Sequence, residues 1–134
     1  MQTWQRLLVR HRLAFHCTDP FHLGVTQMSE RLAEIKALVE LVPNDPFPLY
    51  GLALEYRSLG DLQQAEATFV QLAERHPDYV PQYLIRGKLL KELGQRERAI
   101  QVLTLGVEKA QKARNNHALG ELQGELDSLE NTED

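Results

Sequence analysis

Residues 46–112 read PFPLYGLALEYRSLGDLQQAEATFVQLAERHPDYVPQYLIRGKLLKELGQRERAIQVLTLGVEKAQK, a stretch that states one pattern twice at an interval of 34 residues. The small and turn-forming residues coincide: Gly94 falls on Gly60, Ala99 on Ala65 and Gly87 on Ala53. The large residues coincide as well, Tyr83 with Leu49, Leu90 with Tyr56 and Leu103 with Phe69, while the small Gly106 falls on Leu72. A helix-turn-helix unit of this length cannot bury its apolar face alone, so stacked copies bury it for one another. The pattern describes a scaffold, and no catalytic group stands out on it.

Turn chemistry divides the stretch into helices. Asp45-Pro46 predicts a helix start, since Asp accepts from free N–H groups and Pro at the first position gives up a bond that is unmade anyway. That helix, about 46–58, closes at Gly60, and Asp61 caps a partner over about 62–75. Pro77-Asp78 resets the chain for a second hairpin, about 79–93 and 96–113, turning at Gly94; Pro81 is tolerated in a first turn. Ala53, Gly87, Ala65 and Ala99 are small so that helices approach closely, and Tyr56, Phe69, Leu90 and Leu103 fill the space between layers.

The flanks extend the stack. Leu32, Ile35, Leu38, Val39 and Val42 mark one face of a helix beginning near Ser29, which serves as its cap. Pro43 precedes Pro77, and Ile35 precedes Phe69, by the same 34 residues, so this helix takes the place of the second helix of an incomplete repeat. After Asn115-Asn116, the set Leu119, Leu122, Leu126 and Leu129 forms an apolar seam, with Glu121, Glu125, Asp127 and Glu130 facing away, as a capping helix requires. Upstream, a short helix is expected over 3–16 (Trp4, Leu7, Leu8, Phe15), broken by Thr18 to Gly24. Met28 before the Ser29 cap invites the reading that the native start is Met28. The competing reading is an Arg-rich, acid-poor arm. The expected organisation is a basic extension over 1–27, a half repeat over 28–45, full repeats over 46–79 and 80–113, and a capping helix with its tail over 114–134.

These residues resemble the tetratricopeptide repeat, whose pattern is large-x-x-Leu-small-x-x-Tyr, then Ala-x-x-x-Phe, then Pro. The first copy reads Leu49, Leu52, Ala53, Tyr56, Gly60, Ala65, Phe69 and Pro77. The second reads Tyr83, Gly87, Leu90, Gly94, Ala99, Leu103 and Gly106, with Arg86 where Leu is usual and Gln111 where the Pro would stand. The resemblance implies an all-α solenoid of antiparallel helix pairs: two full repeats, a preceding half repeat and a capping helix.

Composition narrows the function. The chain of 134 residues fits one domain, and its formal charge of −4 argues against a nucleic-acid binder. Residues 1–27 carry +2 (Arg6, Arg10, Arg12, Asp19), leaving −6 for the remainder. The single Cys17 fits a reducing, cytoplasmic setting, and no apolar run approaches the ~20 residues that cross a bilayer. His11, His16, Cys17 and His22 bunch together but lack paired ligand spacing, so no metal or cofactor is expected. No phosphate loop, nucleophile elbow or paired-carboxylate motif occurs, and the expectation is a protein that is not an enzyme.

In the family resembled, first helices of successive repeats line a concave groove. Carried over by position, that groove would comprise Phe47, Tyr50, Leu54, Arg57 and Ser58 from the first unit and Pro81, Leu84, Lys88, Lys91 and Glu92 from the second. Tyr50, Leu54 and Arg57 share one stripe, apolar at its start and basic at its end. It suits a partner protein or peptide with a hydrophobic anchor and an acidic flank. Members that hold the terminal carboxylate of chaperone tails use Lys and Asn where this chain has Tyr50, Leu54 and Ile85, so that clamp is absent. The expected function is an interaction module acting as adaptor or assembly factor. The alternative is a structural subunit that self-associates through the same stripe or its N-terminal helix.

Overall fold

Three turns of the same construction set the helix ends. The computed structural model describes the backbone of residues 20–132 and side chains from Glu30 onward. The described residues form α1 (Pro20–Leu41), α2 (Pro46–Ser58), α3 (Leu62–Arg75), α4 (Pro81–Glu92), α5 (Arg96–Lys112) and α6 (Asn116–Glu130), with no strand among them. Between α2 and α3, α4 and α5, and α5 and α6, one residue turns left-handed: Gly60 at φ 79°, Gly94 at φ 74° and Arg114 at φ 56°. The next amide then reaches back over the helix end, Asp61 to the Tyr56 carbonyl at 2.9 Å, Gln95 to Leu90 at 2.8 Å and Asn115 to Ala110 at 2.9 Å. This closure satisfies carbonyls that the helix leaves open. Side-chain caps start the following helices: Asp61 accepts from the Gln64 amide at 3.2 Å, and Asn115 from Ala118 at 3.0 Å. Asp45 caps α2 by accepting from Phe47 at 3.0 Å, with Pro46 in the first turn.

The N-terminal side departs from expectation. α1 begins at Pro20 and runs through Gly24 and Ser29 without the break expected over 18–24 or the start expected near Ser29. Pro20 stands at the helix start, where its missing N–H costs nothing, and a single interior glycine weakens a helix by only about 1 kcal/mol. The helix expected over 3–16, and the side chains of His11, His16, Cys17 and His22, lie outside the described residues. α4 likewise starts at Pro81, two residues later than expected.

The chain divides into Met1–Glu34 and Ile35–Asp134. The described part of the first is the N-terminal portion of α1. In the second, α2 packs on α3, α3 on α4, α4 on α5, and α6 on both α4 and α5. The result is an all-α solenoid of antiparallel pairs, α2–α3 and α4–α5, with α6 as the cap. The small residues sit where helices approach: Ala53, Ala65 and Ala99 are fully buried, as are Phe69, Leu72, Leu89, Leu90 and Leu122. A Cβ added at Gly106 would lie 2.6 Å from the Tyr83 Cβ and 2.9 Å from Leu122. Gly106 therefore stands where the first copy has Leu72 because Tyr83 stands where the first copy has Leu49. A larger residue at one position is matched by a smaller one at the other.

Ala99 has no room to grow. Ala99→Phe is expected to cost about 1–3 kcal/mol through overpacking. Thermal denaturation checks this, and an unchanged midpoint would contradict the helix register.

Arg86, the departure from the repeat pattern, has a long-range partner. Its guanidinium donates to both carboxylate oxygens of Glu66 on α3, with nitrogen–oxygen distances of 2.9 and 3.1 Å, and Arg98 from α5 donates to the same carboxylate at 2.8 Å. Glu66 is 8% exposed, so its charge is held by two cations instead of water.

Candidate functional site

Antiparallel pairing puts alternate helices side by side, and α2, α4 and α6 share a face. Two ion pairs join them across it. Arg57 on α2 donates to Glu92 on α4, and the Lys88 ammonium on α4 lies 3.7 Å from Glu125 on α6.

The apolar end of the face is built at the start of α2. Phe47 is 67% exposed, and Tyr50, Leu54 and Leu84 are half-buried. The Tyr50 ring meets Phe69 edge-on at a centroid distance of 6.4 Å and Tyr79 at 5.4 Å. These contacts fix the ring without covering it. Burial, partly offset by Arg57, raises the Tyr50 hydroxyl above its ordinary pKa; burial, reinforced by Tyr50 and Asp45, raises Tyr79. Both phenols are neutral donors near pH 7. Leu84 also packs against the core cluster around Tyr83 and Leu90.

At the other end, the structure changes the reading of the charges. Arg57 and Lys88 each face a carboxylate from the next helix of the set, so the stripe's basic end is neutralised from within the fold. Glu92 belongs to that pairing, Lys91 is exposed with no carboxylate at pairing distance among the described residues, and Ser58 and Pro81 are exposed. Tyr79 and Glu125 join the face although neither was expected there. Glu125 was assigned to the outward side of the capping helix; it is half-buried because α6 lies against α4. No repeat position pointed to either residue, since α6 leaves the 34-residue pattern and Tyr79 lies in a connection.

The face is open. A cleft of about 440 Å³ lies elsewhere, where the end of α1 (Lys36, Val39, Glu40) meets Leu49, Leu52 and Arg75. Among the described residues no cluster of His, Cys, Asp and Glu could hold a metal ion, and no helix is long and apolar enough to cross a membrane.

The antiparallel pairs, the left-handed turns and the laterally open face define a helical-repeat scaffold. The profile of the tetratricopeptide repeat family matches residues 48–79. A tetratricopeptide repeat domain protein from Salinibacter ruber, solved in solution, is 36% identical, with a TM-score of 0.65 over 68% of this chain and 92% of that one. This chain belongs to the tetratricopeptide repeat family. Its fold is also shared, at 17% identity and a TM-score of 0.70, by the Yersinia enterocolitica type III secretion chaperone SycD in complex with a peptide of the translocator YopD; that match covers 100% of this chain and 97% of that one. MamA from Desulfovibrio magneticus is 26% identical, with a TM-score of 0.57 over 85% of this chain and 62% of that one. No curated protein sequence matches the chain.

Proposed function

We propose that this chain is a protein-interaction module, without catalytic activity of its own, that binds a partner protein or peptide on the face of α2, α4 and α6 and so acts as adaptor or assembly factor. The observation that carries the reading is Phe47, a large apolar side chain two-thirds exposed, in line with half-buried Tyr50, Leu54 and Leu84. Exposed apolar surface of this kind marks interaction sites. The complex of SycD with a peptide of the translocator YopD supports it, as a protein of like fold that binds a peptide. A hydrophobic anchor of the ligand would seat between Tyr50 and Leu84, and an acidic flank would address Lys91, in a cytoplasmic setting.

Leu54→Asp is the direct test. It places a charge in the apolar stripe, at a half-buried position outside the fully buried core. Affinity capture from the source cells with both forms, read by mass spectrometry, is expected to lose the partner with the variant. The same partners on both baits would sink the proposal. Self-association is the second reading, favoured by Leu38 at 48%, Leu41 at 76% and Val42 at 39% exposed. Light scattering that returns the monomer mass at every concentration would reject it.

A further inference from the structure

We infer that Glu92 sets the charge selectivity of this face, keeping Arg57 closed to acidic ligands, so that the peptides it takes carry large apolar anchors and a neutral flank at the Arg57 position. The inference rests on the peptide-binding reading above. It starts from the two ion pairs. Arg57 and Glu92 are 30% and 43% exposed, and Lys88 and Glu125 are 38% and 29% exposed. Pairs this open to water add little to stability. Their effect falls on what approaches from outside: a ligand carboxylate nearing Arg57 meets a guanidinium already neutralised and the like charge of Glu92. Selectivity against a ligand class arises from such repulsion as much as from attraction toward the favoured class.

The geometry also separates Arg57 from its neighbour. Arg57 and Lys88 each have a fixed partner on the next helix of the face, whereas Lys91 has none among the described residues. A peptide that lays an apolar side chain between Tyr50 and Leu84 finds neutral phenols of Tyr50 and Tyr79 as hydrogen-bond donors beside it. Removing the charge of Glu92 while keeping its shape would leave Arg57 unpaired and open the face to acids.

Random dodecapeptides displayed on phage provide the probe, panned on wild type, Glu92→Gln and Leu54→Asp. The wild type is expected to enrich Phe, Leu, Tyr and Trp, with Asp and Glu enriched at most on the flank that meets Lys91 and not on the flank that meets Arg57. Glu92→Gln is expected to enrich the same anchors with acidic residues about twofold more frequent, and acid-bearing peptides should bind it on the order of fivefold tighter than they bind wild type. Neutral peptides should bind both forms equally. Equal acid enrichment on wild type and Glu92→Gln, or an affinity gain shared by neutral and acidic peptides, overturns the inference while leaving peptide binding intact. No enrichment on wild type, or a selected set indifferent to Leu54→Asp, overturns the peptide-binding reading and this inference with it.

Discussion

Tyr83→Ala is expected to remove about 3–5 kcal/mol of stability, the range for deleting a buried aromatic ring and leaving its cavity. Tyr83 is 1% exposed, stands in the cluster that links α4, α5 and α6, and is the side chain to which Gly106 gives way. Its neighbours cannot collapse into the space easily, because they belong to three helices held by separate turns. For a domain of this size the midpoint of thermal unfolding should fall by roughly 10–15 °C. Tyr83→Phe separates ring from hydroxyl: it loses the bond donated to the Pro77 carbonyl and should cost only about 1 kcal/mol. Calorimetry on both variants decides, and an alanine variant within 1 kcal/mol of wild type would contradict the packing.

Glu66→Ala is the second large effect, an expected loss of about 3 kcal/mol, at the lower end of the range for breaking a buried ion pair. The loss stays at that lower end because Arg98 is 49% exposed and can return to water, whereas Arg86 is 13% exposed and cannot do so without moving. Replacing both ends, Glu66→Leu with Arg86→Leu, restores the usual residue at position 86 and leaves no uncompensated buried charge, since Arg98 is half exposed and returns to water. The double variant should lie within about 1 kcal/mol of wild type. Urea unfolding of the single and double variants measures the coupling, and simple additivity of the two losses would show that the pair is not a unit.

Much of the fold is legible in the sequence. The spans expected for α2 and α3 match the structure, because Asp45-Pro46, Gly60 and Asp61 act on their immediate neighbours. The third turn was not legible in the same way, because Arg114 takes the left-handed conformation that glycine takes in the other two. The start of α1 departs from the sequence pattern for a related reason. Pro20 and Gly24 suggest a break when weighed as isolated residues, whereas a helix start accommodates the first and helix continuity tolerates the second.

The candidate face was legible only in part. The apolar side chains at Phe47, Tyr50, Leu54 and Leu84 follow from helical spacing within one segment. Their relation to Tyr79 and the neutralisation of Arg57 and Lys88 depend on partners that repeat spacing does not specify: Glu92 lies 35 residues from Arg57, and Glu125 is on a helix outside the repeat.

The sequence by itself determined the helix pairs, their close approaches at Ala53, Ala65, Gly87 and Ala99, and membership in a repeat architecture, because each depends on interactions within a turn or on a period repeated along the chain. Only the tertiary structure decided which charges meet. Ion pairs such as Glu66 with Arg86 and Arg57 with Glu92 form between helices whose rotation and offset are set by packing of the whole stack, and a shift of a single residue in any helix would bring different side chains together.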